Sequence, residues 1–376
     1  MENWTPEPSV VDRLKTAVQD LATIESVRTL SNAPQPPVEF VLALYEQADE
    51  AFFEALAERF EKLDYTPVLA EQEGRISLHA MPGVPDRETG RAWVNGLLFV
   101  ATLLSVSFVG AANEGGAPFS HPADIWLGLP FAATLLGILT IHELSHYFVG
   151  RRYGSPVSLP YFIPLPVSIL GTMGAVITQR APMRSRKALF DIGAAGPLGG
   201  LLVAFPLLVL GLSLSEVGPL PVGTPYLMEG NSLLYYLVKW LIFGQPLPAG
   251  DLDVMLHPVA FAAWAGLMVT ALNLFPVGQL DGGHVAYALW GRTAWRISRV
   301  FIWLMMAWGL FLSFTGQDSG GTWVIWGTLG LMMGANHPLP LNDLTPLDPV
   351  RRMVGWGMVV LFALILVPLP LTLVTP

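Results

Sequence analysis

From Trp93 onward, long apolar stretches alternate with short polar segments, whereas before residue 90 the alternation is faster and more heavily charged. The stretches 93–112, 125–149, 191–214, 258–280, 297–315, 322–336 and 354–374 approach the ~20 apolar residues that a helix needs to cross a bilayer. The sixth is short enough to be interfacial instead. A still shorter run, "NSLLYYLVKWLIF" at 231–243, is expected to lie along the membrane surface. The pattern predicts an α-helical polytopic membrane protein of about seven spans.

Residues 1–90 read differently. "ADEAFFEALAERFEKL" (48–63) has apolar positions at helical spacing and a charged outer face. "VEFVLALYE" (38–46) reads as a strand, and "YTPVLAEQ" with "RISLHAMPG" as a hairpin turning at Glu73-Gly74. With a helix over 9–22, this is a small α+β module, expected to be soluble. His79, alone at a strand end, is read as a surface or packing residue.

Composition fits the periodicity. Of 376 residues, 52% are hydrophobic and only 13% charged, about half the charged fraction of ordinary soluble domains. The net charge of −9 comes without a basic stripe or aromatic platform, so no nucleic-acid partner is expected. The chain has no cysteine, which excludes disulfides, thiolate metal sites and cysteine nucleophiles. The first thirty residues lack an apolar core flanked by basic residues, so no cleavable signal peptide is expected. Basic residues collect in alternate loops: Arg151, Arg152, Arg180, Arg184, Arg186 and Lys187, then Arg292, Arg296 and Arg299, then Arg351 and Arg352. The intervening loops carry Glu114, Asp124, Glu216, Glu229, Asp251 and Asp253 against Lys239. The positive-inside rule therefore places the N-terminal module in the cytoplasm.

Within the second apolar stretch, "ILTIHELSHYF" (138–148) introduces His142, Glu143 and His146. Residues four apart share one helix face, so both imidazoles can address one metal ion. Glu143, beside the first of them, is placed to act as a general base toward the attacking water. The plainer reading is a helix end whose polar residues snorkel, but ionisable groups inside a span are costly and usually functional. A catalytic zinc site takes three protein ligands. "ALNLFPVGQLDGGHVAY" (271–287) offers Asp281 at a Pro- and Gly-broken span end, with His284 as a competing donor. Asn273, about two turns earlier, suits substrate or oxyanion binding as well as it suits gluing two helices.

"YGSPVSLPYFIPLPVSILGTMGAVITQ" (153–179) is too broken for a spanning helix. It is expected to form a re-entrant loop and strand beside the active site, lining a polar cavity, since non-helical backbone at membrane depth is tolerated only there. Its "MGAVITQ" (173–179) suits β-addition of an unwound substrate, or an ordinary hairpin. "GAAGPLGG" (193–200) lacks the strand that precedes a dinucleotide-binding turn and is read as small residues for close helix packing. His121 and His257 are loop residues. His337, opening "HPLPLNDLTPLD", is left with a gating or fourth-ligand role as the alternative to a plain loop role.

These elements resemble the site-2 protease family of intramembrane zinc metalloproteases. The likeness rests on HELSH at 142–146, "NLFPVGQLDGG" at 273–283, "GTMGAVI" at 171–177 and "RSRKALFDIGAAGPLGG" at 184–200. It follows the family order over 92–350 and is nearest the cyanobacterial and chloroplast branch. The resemblance implies one Zn2+ per chain on His142, His146 and Asp281, with Glu143 as catalytic base. Asn273, together with Gly171 and Gly174, would serve substrate or oxyanion binding. It also implies residues 1–90 as a cytoplasmic module and 91–376 as a transmembrane metalloprotease domain with its core at 125–285. The expected substrates are transmembrane proteins cut within or next to their helices, in a bacterial cytoplasmic membrane. The rival is a zinc-binding membrane protein that does not cut, a transporter or an inactive scaffold; Glu143 argues against it. No PDZ segment is visible.

Overall fold

A computed structural model describes residues 9–31, 33–44, 49–72, 74–84, 90–179, 181–317 and 319–374. The chain divides into two compact units.

The first unit contains α1 (Val10–Val18), β1 (Ala22–Thr29), β2 (Val38–Leu44), α2 (Glu50–Glu61), β3 (Tyr65–Gln72) and β4 (Arg75–Pro82). The strands form an antiparallel sheet in the order β1-β2-β4-β3. Ser9 and Asp49 cap the two helices through their side chains, satisfying amides that a helix start leaves open. Leu14, Phe53, Leu56 and Phe60 from the helices meet Phe40, Leu69 and Leu78 from the sheet in one core. The turn expected at Glu73-Gly74 joins β3 to β4. Glu73 itself lies outside the described residues, as do residues 45, 46 and 48 of the predicted strand and helix.

This unit is not made by residues 1–88 alone. Segments 179–189 and 338–348 belong to it. Leu341 accepts from the Leu69 amide at 2.6 Å, and the Asp343 amide returns a bond to Leu69 at 2.9 Å. On its other side the same segment donates to Met183 and Arg184 at 2.8 and 2.9 Å. Leu341 and Leu344 add to the core, and Arg186 pairs with Asp343 at 2.7 Å. A boundary at residue 90 is thus a sequence boundary only, because the edge of β3 is covered by chain from 272 residues later, Leu341 against Leu69.

The second unit is mainly helical. Its elements are α3 (Ala92–Asn113), a 3-10 turn (Pro122–Gly128), α4 (Leu129–Arg152), β5 (Tyr161–Pro164) and β6 (Thr172–Val176). There follow α5 (Arg186–Ser213, its first turn counted with the first unit), β7 (Glu216–Pro219), β8 (Tyr226–Glu229), α6 (Leu233–Phe243) and β9 (Leu252–Met255). The remainder are α7 (Pro258–Asn273), α8 (Asp281–Trp290), α9 (Thr293–Phe314), α10 (Gly320–Met333), α11 (Pro349–Ile365) and β10 (Leu371–Val374). Three two-stranded antiparallel sheets, β5-β6, β7-β9 and β8-β10, decorate the bundle.

Among the described residues, four helical stretches are long and apolar enough to cross a bilayer: Ala92–Asn113, Pro122–Arg152, Arg186–Ser213 and Thr293–Phe314. The other three expected spans are shorter as helices. The fourth, read as 258–280, stops at Asn273 because Pro276 follows and the chain turns through 274–280 before α8 starts. The sixth is a 14-residue helix and the last a 17-residue helix that ends in β10.

The region 153–179 forms the β5-β6 hairpin. Asn95, buried in α3, donates to the carbonyls of Leu159 and Pro160, both at 2.9 Å. Phe162 packs edge-on against Phe99 of the same helix. An irregular segment within an apolar unit needs such partners for its backbone.

Candidate metal centre

The HELSH residues fall in the second half of α4, and the i, i+4 spacing puts both imidazoles on one face as expected. His142, Glu143 and His146 are all buried, at 3, 5 and 4% exposure. Asp281 is the first residue of α8, and the turn before it explains how a carboxylate reaches α4. A Cβ on Gly282 would overlap the Leu274 carbonyl, and one on Gly283 would overlap that of Gly278. Gly278 adopts φ +50°, a left-handed backbone that favours glycine. The glycines therefore let α7 stop and α8 restart within seven residues, aiming Asp281 back along the bundle.

Three atoms converge. Asp281 Oδ2 lies 3.2 Å from His142 Nε2 and 3.2 Å from His146 Nε2, and the two nitrogens are 3.3 Å apart. A tetrahedral zinc with bonds of about 2.0–2.1 Å spaces its ligands about 3.3–3.4 Å apart, so the triangle has the edge length of one tetrahedral face. Among the described residues this is the group of three donors close enough to hold an ion. His146 Nδ1 donates to the Ile192 carbonyl at 2.7 Å, which fixes the proton on that nitrogen and turns the Nε2 lone pair toward Asp281. Lone pairs and a carboxylate facing one another need a shared cation, and the donor set of two imidazoles and one carboxylate suits zinc. His284 is not in this group. Its Nδ1 instead lies 2.6 Å from His337 Nε2, with Tyr287 stacked on His337. Asp281, not His284, therefore stands with the two imidazoles in the group that could hold an ion, and His337 stands with His284.

Glu143 lies outside the donor triangle and meets the backbone amide of Ile177, just after β6. Asn273 ends α7 with its amide nitrogen 3.2 Å from His142 Nε2, at the edge of the triangle. Gly174 sits on β6 with φ +102°. Gly171 is occupied differently: a Cβ there would come within 2.7 Å of the Val106 backbone, and its carbonyl accepts from Ser105 at 2.6 Å. Packing against α3 accounts for that glycine.

The small-residue run 193–200 proves to be the floor of the site. A Cβ on Gly196 would overlap His146 Nε2, one on Gly199 would overlap the Ser145 hydroxyl, and one on Gly200 would stand 3.1 Å from His142 Nδ1. A Cβ on Gly193 would come within 2.6 Å of His284. Next to Ile192, Asp191 receives both Arg351 Nε at 2.7 Å and Arg351 Nη2 at 2.6 Å, and the Tyr153 hydroxyl also donates to it. Burial and the neighbouring Asp191 push the Tyr153 phenol up to about 12, so it remains a donor at neutral pH. Sequence reading found none of Ile192, Asp191, Arg351 or Tyr153. Their only signal was a charge within an apolar run at Asp191.

Residues 130–315 match the model of peptidase family M50, an interval that contains His142, Glu143, His146, Asn273 and Asp281. The probable zinc metalloprotease EGY2, chloroplastic, of Arabidopsis thaliana is 32% identical over 244 residues, covering 65% of this chain and 42% of that protein. The probable zinc metalloprotease EGY1, chloroplastic, of Oryza sativa subsp. japonica is 33% identical over 266 residues, with 66% and 43% covered. The chain therefore spans less than half the length of the curated relatives it matches. No solved structure matches it. With the ligand triangle, the adjacent carboxylate and these likenesses together, the chain carries a site-2 protease domain of peptidase family M50 and is homologous to the chloroplast EGY zinc metalloproteases.

Proposed function

We propose that this protein is an intramembrane zinc endopeptidase that hydrolyses peptide bonds within or beside the transmembrane helices of other membrane proteins. The observation that carries the reading is Glu143: a buried carboxylate one residue from a metal ligand yet outside the ligand triangle. A protein that only stores or moves zinc has no use for it. His142, His146 and Asp281 would hold a zinc ion, which when bound would supply Lewis acidity to the scissile carbonyl and to water. Glu143 accepts the proton of the attacking water and returns it to the leaving amide nitrogen. Asn273 offers its side-chain amide to the oxygen on which negative charge develops. Replacing Glu143 with Ala should lower cleavage of single-span substrates by about 10²–10⁴-fold while zinc content, measured by mass spectrometry, stays at one ion per chain. Cleavage at the native rate by that variant would sink the reading.

A substrate helix hides its carbonyls in its own ladder and must unwind to be cut. β6 pairs with β5 on one side, and its Met173 and Val176 are exposed, which supports the other edge as the acceptor of an added substrate strand. Val176→Pro, with its missing donor, should raise KM or abolish cleavage without loss of zinc; unchanged kinetics would remove β6 from the mechanism. The wider reading places seven segments in the bilayer, the shorter helices completing the four long ones, with the first unit and the basic loops on the cytoplasmic side. The absence of cysteine makes single introduced cysteines, labelled from either side, a direct test of that orientation. Labelling of a residue-20 cysteine only from outside would reverse it.

A further inference from the structure

A second set of buried charges lies well away from the metal triangle. Lys239 in α6 is fully buried, with its ammonium 3.4 Å from Asp253 Oδ1 and 3.6 Å from Glu229 Oε1 and over the Tyr235 ring at 4.9 Å. The Tyr235 hydroxyl donates to Glu229 Oε1 at 2.9 Å, and the Val254 amide to Asp253 Oδ1 at 2.8 Å. These bonds occupy one oxygen of each carboxylate. Two carboxylates share one ammonium, so with both ionised the cluster carries one surplus negative charge. A buried charge without compensation is costly, and burial indeed pushes the Glu229 carboxyl upward against the pull of Lys239.

Both carboxylates, together with Glu114 just after α3, line a cavity of about 310 Å³ between the N-terminal ends of α4 and α7 and the β7-β9 and β8-β10 sheets. Its walls include Phe131, Phe261, Leu227 and Leu371, and Ile169 of the β5-β6 connection forms part of its mouth. Apolar walls over a carboxylate pair match a long aliphatic stem with a cationic tip. The cavity also lies on the path of a substrate strand. β6 starts three residues after Ile169, which lines the cavity, and ends one residue before Ile177, beside Glu143, so the hairpin leads from the cavity toward the metal triangle. Along α4, Phe131 precedes His142 by about 16 Å, and along α7, Phe261 precedes Asn273 by about 18 Å, at 1.5 Å per residue. An extended peptide covers that distance in about five residues.

We propose that this cavity is a specificity subsite for a lysine or arginine side chain of the substrate, about five residues from the cut bond. It lies on the C-terminal side of that bond when the added strand runs antiparallel to β6. This rests on the proteolytic reading for its role but not for its binding chemistry. The test therefore has two arms. In the first, purified full-length protein in neutral detergent is titrated with acetyl-Leu-Ala-Lys-Ala-Leu-amide and with its norleucine analogue, which has the stem without the charge. The lysine peptide should bind at least tenfold more tightly. Asp253→Asn, which leaves Lys239 and Glu229 as a neutral pair, should erase that preference. Leu227→Trp, which fills the cavity and touches no charge, should abolish binding of both peptides; it keeps the test decisive if the first variant unfolds. Equal binding of the two peptides, a preference surviving in both variants, or displacement of the peptide by phosphatidylethanolamine vesicles (a lipid headgroup site) overturns the proposal. In the second arm, a lysine is moved stepwise through a cleaved single-span substrate. Moving it from the fifth position should raise KM about tenfold with kcat unchanged, and a flat KM profile overturns the assignment. Only this arm depends on cleavage, so a failed protease reading and a failed subsite give different results.

Discussion

The second unit buries two trios of ionisable side chains, and they are built on opposite principles. His142, His146 and Asp281 turn three acceptor atoms toward one another, all within 3.3 Å, with the remaining nitrogen of His146 tied to a carbonyl. Lys239, Glu229 and Asp253 place a donor between two acceptors, with a tyrosine hydroxyl added. Burial and charge are common to both. What separates a metal site from a structural ion cluster is the balance of donors and acceptors: the first trio needs a cation from outside, and the second brings its own. In the second, compensation is incomplete by one charge, which is the basis for assigning it a cationic guest.

The comparison is broken most severely at Asp281. Asp281→Asn removes one of three ligands and should weaken zinc binding by well over the ~10–100-fold that follows loss of a supporting residue, with proteolysis lost alongside. The fold should persist, because no buried ammonium depends on that carboxylate. Zinc titration by competition with a chelator checks the first point and thermal unfolding the second. Retained zinc affinity would mean that the third ligand is elsewhere.

Lys239→Met should give the reverse pattern. Removing the ammonium leaves two buried carboxylates facing each other, a change of about 3–5 kcal/mol against folding, while zinc affinity in the protein that does fold is unchanged. Adding Glu229→Gln and Asp253→Asn to the same chain should restore most of the stability, since neutral partners of the same shape carry no uncompensated charge. Denaturation in detergent measures both. Equal stability of the single and triple variants would show that the cluster is already neutral without Lys239.

How far the sequence anticipates each trio follows from how each is assembled. The imidazole pair is local, four residues apart on one helix, and so is legible as a pattern. Asp281 is legible at second hand, because Pro276, Gly282 and Gly283 announce a turn that a plain span does not need. Lys239 is misread as a loop charge on a surface helix, because α6 is too short to show a buried face and both acceptors arrive from strands that no period signals. Long-range partners explain the other gaps as well. Arg351 meets Asp191 across 160 residues, and residues 341–343 complete the edge of β3, although nothing in "HPLPLNDLTPLD" reads as a strand. Of the N-terminal elements, α1, α2, β2, β3 and β4 fall close to their predicted positions, since amphipathic periods of 3.6 and 2 carry them, whereas β1 (Ala22–Thr29) is not anticipated. Among the described residues, helices long and apolar enough to cross a bilayer match four of the seven expected spans, and the expected fourth is cut short because hydropathy runs on through 274–280 where the backbone turns.

The run 193–200 supplies the finest test, because it decides whether the metal trio is placed by its own helix or by the helix beneath it. Hydropathy alone says only that small residues permit close approach. The structure makes a narrower claim, that Gly196 is the one position where a methyl group would occupy the space of the ligand nitrogen of His146. Gly196→Ala should therefore push that ring off the triangle and lower zinc affinity by about 10–100-fold, at an overpacking cost of about 1–3 kcal/mol. Gly137→Ala on α4, where an added Cβ meets nothing within 4 Å, should change neither quantity beyond a slight gain in helix stability. If both substitutions leave zinc affinity alone, α4 holds its imidazoles without help from α5, and the glycines are a matter of packing only. If Gly196→Ala alone loses zinc, the metal site is a property of two helices whose separation one missing methyl group sets.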